Sequence, residues 1–413
     1  MRASALVAMI VGMMVALSAG AEPASAAEDG AANRLVVEAV GLARAADRAT
    51  AAEERAALYK RALDALDTVV AEHPGSDLAV KLATGQAIGG LDRAAIDRKW
   101  RLSAAELCVA RFDRACALDL ALGLADKIED SSQRDSVLLL VVYALSDGDV
   151  IAKALAVARR IDDDYYRSWA FSAVIATALR MGDDVTARGV EAQTRQLIER
   201  IDDAHLRASA AALFASSQAE GGALDDARAS VSRAIAFGDA LRDDWELAMF
   251  HVDLAEAQYK SGETVKAGRS LARIQKYARR LTVLEDRITV LTQLAWVAAE
   301  INAMEVYAQT ISYVISANDL IRSDETRDEN WMQIAAAQTN AKDGQGALET
   351  ANKIGTPHLR AQALANAASA QSDAGEIDVA KSILGHAIEQ PWRSDSTYGI
   401  GFALALIGSA IEE

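Results

Sequence analysis

The sequence predicts an all-α chain built as a solenoid of helical hairpins, and three observations carry that reading. Hydrophobic residues make up 51% of the 413 positions, yet aromatics are only 5% and prolines number 4. Alanine does most of the apolar work; it is the strongest helix former, and the β-branched runs and tight turns of hairpin strands are missing. The second observation is an internal repeat. An aliphatic residue, five variable positions and an arginine recur as Ile128…Arg134, Ile161…Arg167, Ile201…Arg207, Leu281…Arg287, Ile321…Arg327 and Ile354…Arg360, while Leu241…Leu247 keeps the spacing without the arginine. Successive starts lie 33, 40, 40, 40, 40 and 33 residues apart. The third is a residue that tolerates positive φ fifteen places after the arginine slot, at Gly182, Gly222, Gly262, Asn302 and Gly375, as the end of a helix often requires. Five places further on stands Ala154, Ala187, Ala227, Ala267, Ala347 or Ala380, with Tyr307 the exception. Each unit therefore reads as helix, glycine turn, helix, acidic turn. The two unit lengths differ by about two helical turns, so the longer units are expected to extend the second helix without rotating its buried face.

The chain opens "MRASALVAMIVGMMVALSAGAEPASAAEDG". One basic residue, Arg2, precedes an apolar run from Ala5 to Leu17 and small-residue cleavage patterns, as in a secretory signal peptide. Residues 1–26 are expected to be this signal, cut after Ala26, with Ala21 as the weaker site. An uncleaved anchor is the alternative reading. No cysteine follows the run, which excludes a lipid anchor at that point, and no later stretch has the apolar length to cross a bilayer. The expected location is periplasmic or secreted, without stable membrane insertion after cleavage.

Residues 27–51 form a leader and a helix from Asn33 to about Ala49, and a second helix is expected from Ala52 to His73. That helix reads "YKRALDALDTVVAEHPG", with Ala62, Leu66 and Pro74 at the spacing of the second helix of a tetratricopeptide unit. From Ala52 onward the chain resembles the tetratricopeptide repeat family, moderately in the first unit and more weakly after it. The glycine-to-alanine spacing of later units fits too. Most units lack the family's first-helix Trp, Gly and Tyr, and Ile or Leu replaces the closing Pro. The resemblance implies a right-handed helical-hairpin solenoid whose inner face binds peptides or proteins, and it assigns no chemistry.

Residues 52–127 hold these first helices and, after a helix from Leu91 to Ala110, the two cysteines Cys108 and Cys116. On one continuous helix their Cα atoms would stand about 12 Å apart, too far for a bridge. A turn at Arg111 to Arg114, with Asp113 capping the next helix, would bring them together, so a disulfide is expected in an exported chain. Two buried thiols are the alternative. Residues 128–390 are the repeats. After Pro391, residues 391–413 read as a terminal half-unit that shields the last apolar face.

The stretch "RRIDDDYYRSW", Arg159 to Trp169, looks like a carboxylate cluster, but the slot of Asp162, Asp163 and Asp164 holds "EDSS", "DDAH" and "GTPH" in other units. Those residues suit helix caps, whose side-chain oxygens accept from free backbone N–H groups. A calcium loop fails on count: Arg167 stands where Gly is needed and Ala173 where the bidentate Glu belongs. The repeated arginines are expected to lay their stems on a neighbouring repeat and pair with acids of the adjacent turn. The five histidines, His73, His205, His251, His358 and His386, are scattered without ligand spacing. "GQAIGG" at Gly85–Gly90 has no strand before it and reads as a helix end. No catalytic, metal or cofactor residues are assigned.

Glutamine recurs eleven places after the arginine slot, at Gln218, Gln258, Gln338 and Gln371. These are the candidate partner-binding residues, if they line an inner face; the competing role is to tie a helix end to its neighbour. The net charge of −16 is unchanged by loss of Met1–Ala26 and gives no attraction to nucleic acid. The expected function is that of an exported, non-catalytic scaffold that binds a peptide or protein partner along a solenoid face. The alternatives are a cell-envelope enzyme or accessory subunit, such as one associated with a cell-wall hydrolase, and a self-assembling structural protein.

Overall fold

The computed structural model describes residues 22–389 and 397–411. The expected signal segment up to Ala21 and the break at Pro391 lie outside the described residues. Those residues form twenty helices and no strand beyond an isolated bridge between Ile88 and Leu91. No described helix is long and apolar enough to cross a membrane. The chain divides into two compact units, one up to Leu107 and one from Cys108.

The first unit contains α1 (Glu22–Ala46), α2 (Ala52–Glu72), α3 (Asp77–Ala83) and most of α4 (Arg93–Arg111). Helix α1 begins before Ala26 and runs through the expected cleavage point. The core of this unit gathers Val36, Ala39, Ala62, Leu66 and Val69, with Ala62 and Leu66 fully buried. Helix α3 was not expected. It is only 7 residues long and begins where Ser76 Oγ accepts from Ala79 N at 3.1 Å. So short an element leaves no periodic signal in a sequence.

The second unit alternates two kinds of helix. One series is α6 (Ser131–Asp147), α8 (Asp164–Arg180), α10 (Ala204–Glu220), α12 (Asp244–Lys260), α14 (Leu284–Glu300), α16 (Asp324–Asn340), α18 (Pro357–Asp373) and α20 (Thr397–Ala410). Each touches the next of its own series. The other is α5 (Arg114–Ala125), α7 (Ile151–Ala158), α9 (Asp184–Arg200), α11 (Leu224–Gly238), α13 (Thr264–Ala278), α15 (Met304–Asn318), α17 (Gly344–Ala351) and α19 (Ile377–Glu389). Burial separates the two: α8 is buried without a break from Ala170 to Ala178, whereas α9 buries only the stripe Ala187, Val190, Thr194, Leu197 and Ile198. A helix covered on most sides is inner, and one covered along a stripe is outer. Helices α7 and α17, in the two 33-residue units, have 8 residues, against 15 in α11, α13 and α15. The extra residues of the long units do extend the outer helix.

The acidic turn is a cap. Asp163 Oδ1 accepts from Tyr165 N and Tyr166 N at 2.8 and 2.9 Å, and Asp130, Asp203, Asp243 and Ser323 do the same for their own helices. The fifteen-place slot has positive φ throughout, with Asp149 (55°) and Lys342 (60°) filling the two units that lack Gly or Asn there. The arginine works differently from the expectation. Arg134 does meet Asp162 of the next turn, but Arg207, Arg287, Arg327 and Arg360 donate to the carbonyls of Ile201, Leu281, Ile321 and Ile354. The guanidinium thus closes its own turn, six residues back, which is why aliphatic and arginine recur as a pair. In the two short units the residue after the arginine is an acid. Asp135 Oδ2 accepts from Asp162 N and Asp163 N at 3.0 and 2.9 Å, and Asp328 Oδ2 accepts from Gly355 N and Thr356 N at 3.0 and 2.7 Å.

Cys108 and Cys116 are joined across a turn, with Cα atoms 5.4 Å apart. Phe112 takes positive φ there and Asp113 caps α5 by accepting from Cys116 N at 2.9 Å. Helix α5 has no inner partner before it in sequence, and α20 has no outer partner after it. They pair with each other. Helix α20 lies on α5, α6 and α18, so the array of the second unit closes into a ring of eight hairpins. Gly401 sits over Leu124 and Val137, Gly408 lies against Leu118, and Arg114 Nε donates to Ile411 O at 2.6 Å. The C-terminal helix therefore packs on α18 and on the opposite end of the array at once, where the sequence suggested only a cover for the last unit.

Two outcomes test these contacts. Gly408→Leu would drive a branched side chain into the space of Leu118, where an added β-carbon alone would come within 2.5 Å. It should cost about 1–3 kcal/mol in urea unfolding. Asp135→Ala strips two part-buried amides of their acceptor and should cost about 1–2 kcal/mol by the same measurement, since water can replace part of what a buried donor would lose.

Candidate functional site

All inner helices run the same way. Each follows an antiparallel outer helix, and α20, antiparallel to α5, ends beside Arg114, which reaches Ala144 O at the end of α6. Their C-termini consequently meet at one mouth of the ring, where the negative ends of the helix dipoles add. The last residues of α6 to α18 in order are Asp147, Arg180, Glu220, Lys260, Glu300, Asn340 and Asp373. Signs alternate through the middle of this row: Arg180 meets Glu220 at 3.0 Å, and Lys260 meets Glu220 at 3.2 Å and Glu300 at 3.5 Å.

Below that rim a cavity of about 470 Å³ opens between α6, α8, α10, α12 and α14. Trp169, Trp296 and Tyr143 form aromatic wall, Ser172, Ser216 and Ser217 add hydroxyls, and Glu220, Asp253, Glu256 and Glu300 bring carboxylates. The one cation in the lining is Lys260, which also bonds Glu256 at 2.8 Å. Burial works against its charge, but the three glutamates outweigh burial and push its pKa up. Ser216 Oγ donates to Glu256 Oε1 at 2.8 Å. Asp253 has no such cation. It lines the cavity deep in the ring; burial pushes its carboxyl up to about 7, a hydrogen bond from Ser209 holds it down in part, and Glu256 pushes it up again. Trp169 Nε1 is buried without an acceptor.

The glutamines lie elsewhere. Gln218 is fully buried, accepting from Ser230 Oγ and donating to Glu191 Oε1, both at 2.7 Å. Gln258 accepts from Ser270 Oγ at 2.9 Å, Gln338 is buried beside Gly346, and Gln371 is half-buried beside Gly344. Gln218, Gln258 and Gln338 each touch the outer helix of their own hairpin, whereas Gln371 meets α17 of the preceding hairpin, so all four tie an inner helix to an outer one. Most of the cavity's charged residues occupy the slots six, nine and thirteen places after the arginine, with Gln293 and Trp296 in the same register: Asp253 and Gln293, then Glu256 and Trp296, then Glu220, Lys260 and Glu300. Two residues separate the glutamine slot from the ninth and thirteenth, and two residues turn a helix by about 200°. The glutamines thus point nearly opposite to the cavity. The signal that could have found the site was charge within alanine-rich helices at those three slots. Among the described residues no group of three or more His, Cys, Asp or Glu side chains is placed to hold a metal ion.

No family model matches the chain, and no curated protein matches it. Among solved structures, the crystal structure of Ton1535 from Thermococcus onnurineus NA1 is similar over 73% of this chain and 99% of that one, at 16% identity and a TM-score of 0.33. A likeness at that level assigns neither fold nor function.

Two variants test the electrostatics of the cavity. Lys260→Met leaves Glu220, Glu256 and Glu300 facing one another and should cost about 2–3 kcal/mol, a buried-pair loss discounted for the exposure of the lysine. For Asp253 the folded pKa, about 7, lies above the ordinary 3.8. The folded state then holds its proton more tightly, so this contribution is complete below about pH 4 and is lost as pH rises through about 7. Urea unfolding at pH 5 and pH 8 should show Asp253→Asn gaining stability relative to wild type at the higher pH.

Proposed function

We propose that the chain is an exported, non-catalytic protein-interaction module whose ring receives a segment of a partner protein at its cavity. One observation carries the reading: at the centre of a ring otherwise sealed by alanine, half-exposed tryptophans and carboxylates surround open space. Side chains of that kind add little to a core and much to a binding site. The tetratricopeptide-like spacing supports it, since that family uses the inner face of its array. The Cys108–Cys116 disulfide and the leader sequence support export. Self-assembly through repeat ends fits less well, because the two ends of the array are paired with each other.

A second reading is favoured by Asp253. A carboxyl that holds its proton to about pH 7 inside a cavity is suited to general-acid chemistry, so the ring could serve a cell-envelope hydrolase. Hydrolysis of cell-wall glycan by the wild type, lost in Asp253→Asn, would favour this over the binding role.

Partner capture tests the first reading. The immobilised chain from Ala27 should retain an envelope protein that Ser217→Arg, which fills the cavity with a cation, does not retain. Equal retention by both removes the cavity from the interaction. Replacing Gln218, Gln258, Gln338 and Gln371 together by alanine should lower Tm by several degrees through loss of the helix ties.

A further inference from the structure

We propose that the cavity holds the lysine or arginine side chain of an extended peptide segment, with the cation among its carboxylates and the peptide backbone against Trp169. This rests on the reading of the ring as a partner-binding module and adds the chemistry of the part that enters.

Charge is the first argument. Glu220, Asp253, Glu256 and Glu300 face the space, against one cation in the lining, Lys260, and one at the rim, Arg180, which meets Glu220. All the inner helices direct their negative ends to the same mouth, where Asp147 and Asp373 add two more carboxylates at helix ends. Low-dielectric walls focus such a field on whatever enters.

Lys260 supplies the second argument, because it displays the coordination that the wall offers. Its ammonium reaches Glu256, Glu220 and Glu300 at 2.8, 3.2 and 3.5 Å, three carboxylates from three adjacent helices. Two turns nearer the N-terminus of α12, Asp253 stands in the same wall with only the hydroxyl of Ser209 and the neighbourhood of Tyr165 and Glu256. An incoming ammonium or guanidinium gives Asp253 the counter-ion that Lys260 gives the others. Trp169 and Trp296 line the same cavity, and a cation over an indole within about 6 Å is held further.

The third argument selects a peptide over a bare amine. Trp169 Nε1–H is a buried donor without an acceptor. A cation has no lone pair for it; a backbone carbonyl next to the basic side chain does. A divalent metal is disfavoured, since the described carboxylates are not grouped as a metal site.

The experiment uses the full mature chain and follows tryptophan fluorescence during titration with N-acetyl-Gly-Lys-Gly-amide, its norleucine analogue and spermidine. The lysine peptide should bind at least about tenfold more tightly than the norleucine peptide, a difference worth about 1.4 kcal/mol. Asp253→Asn and Glu300→Gln should each weaken it about tenfold, and Asp225→Asn, on an outer helix, should not. Circular dichroism of each variant separates lost binding from lost folding, and two independent variants guard against one failing to fold. Equal binding of the norleucine peptide, spermidine binding as tightly as the lysine peptide, or unchanged affinity in both cavity variants would overturn the proposal. Absence of binding by either peptide overturns it too, while the partner-capture result still decides separately whether the ring binds at all.

Discussion

Every inner helix of the second unit must be covered on both flanks, because its alanine faces are too flat and too apolar to meet water. A stack of hairpins satisfies that demand everywhere except at its two ends. Here the ends satisfy each other: α5 is an outer helix without an inner partner, α20 an inner helix without an outer one, and the pair they make is the eighth hairpin. Glycines at the seam let the backbones approach, with Gly401 over Leu124 and Gly408 over Leu118. The closing contact is between segments nearly 300 residues apart in sequence, as the bond from Arg114 to Ile411 at a separation of 297 illustrates. Its loop entropy is met by the whole ring in between, which already brings the ends together.

Regularity in the turns is what makes that closure geometrically feasible. The arginine that reaches six residues back to the aliphatic carbonyl and the acid that caps the next helix fix how each hairpin leaves its predecessor. Where the outer helix is two turns shorter, Asp135 and Asp328 bind the next turn directly. The short units therefore keep the same inner spacing as the long ones. Small errors per unit would accumulate over a ring, so the rigid turn chemistry and the closed shape depend on each other.

A ring of eight inner helices leaves a centre that side chains fill only in part, and the polarity there follows from the unfilled space. Carboxylates at helix C-termini run against the dipole, and Glu220, Glu256 and Glu300 are tolerated because Lys260 stands among them. Asp253 receives no such help, and its raised pKa is the result. The site is thus a place where the fold accepts an electrostatic cost, which is the usual mark of a surface kept for a ligand.

Local chemistry was readable from the chain. The helix class, the unit lengths, the caps at Asp163 and Asp203, the positive-φ slot and the Cys108–Cys116 turn each depend on residues close in sequence, and each has a side-chain signature of its own. The role of the arginines and the short α3 were missed for opposite reasons: one bond could be drawn to several acceptors, and the other element is too brief to show a period. The direction in which a polar residue points was beyond the pattern, so the recurrent Gln218 and Gln258 drew notice while Asp253 and Glu256 did not. By itself the sequence determined the hairpin and its register. Whether those hairpins end in the open or meet was decided only in three dimensions, because the angle between successive units is set by side-chain contacts across helices, and the cavity exists only once that angle has turned full circle.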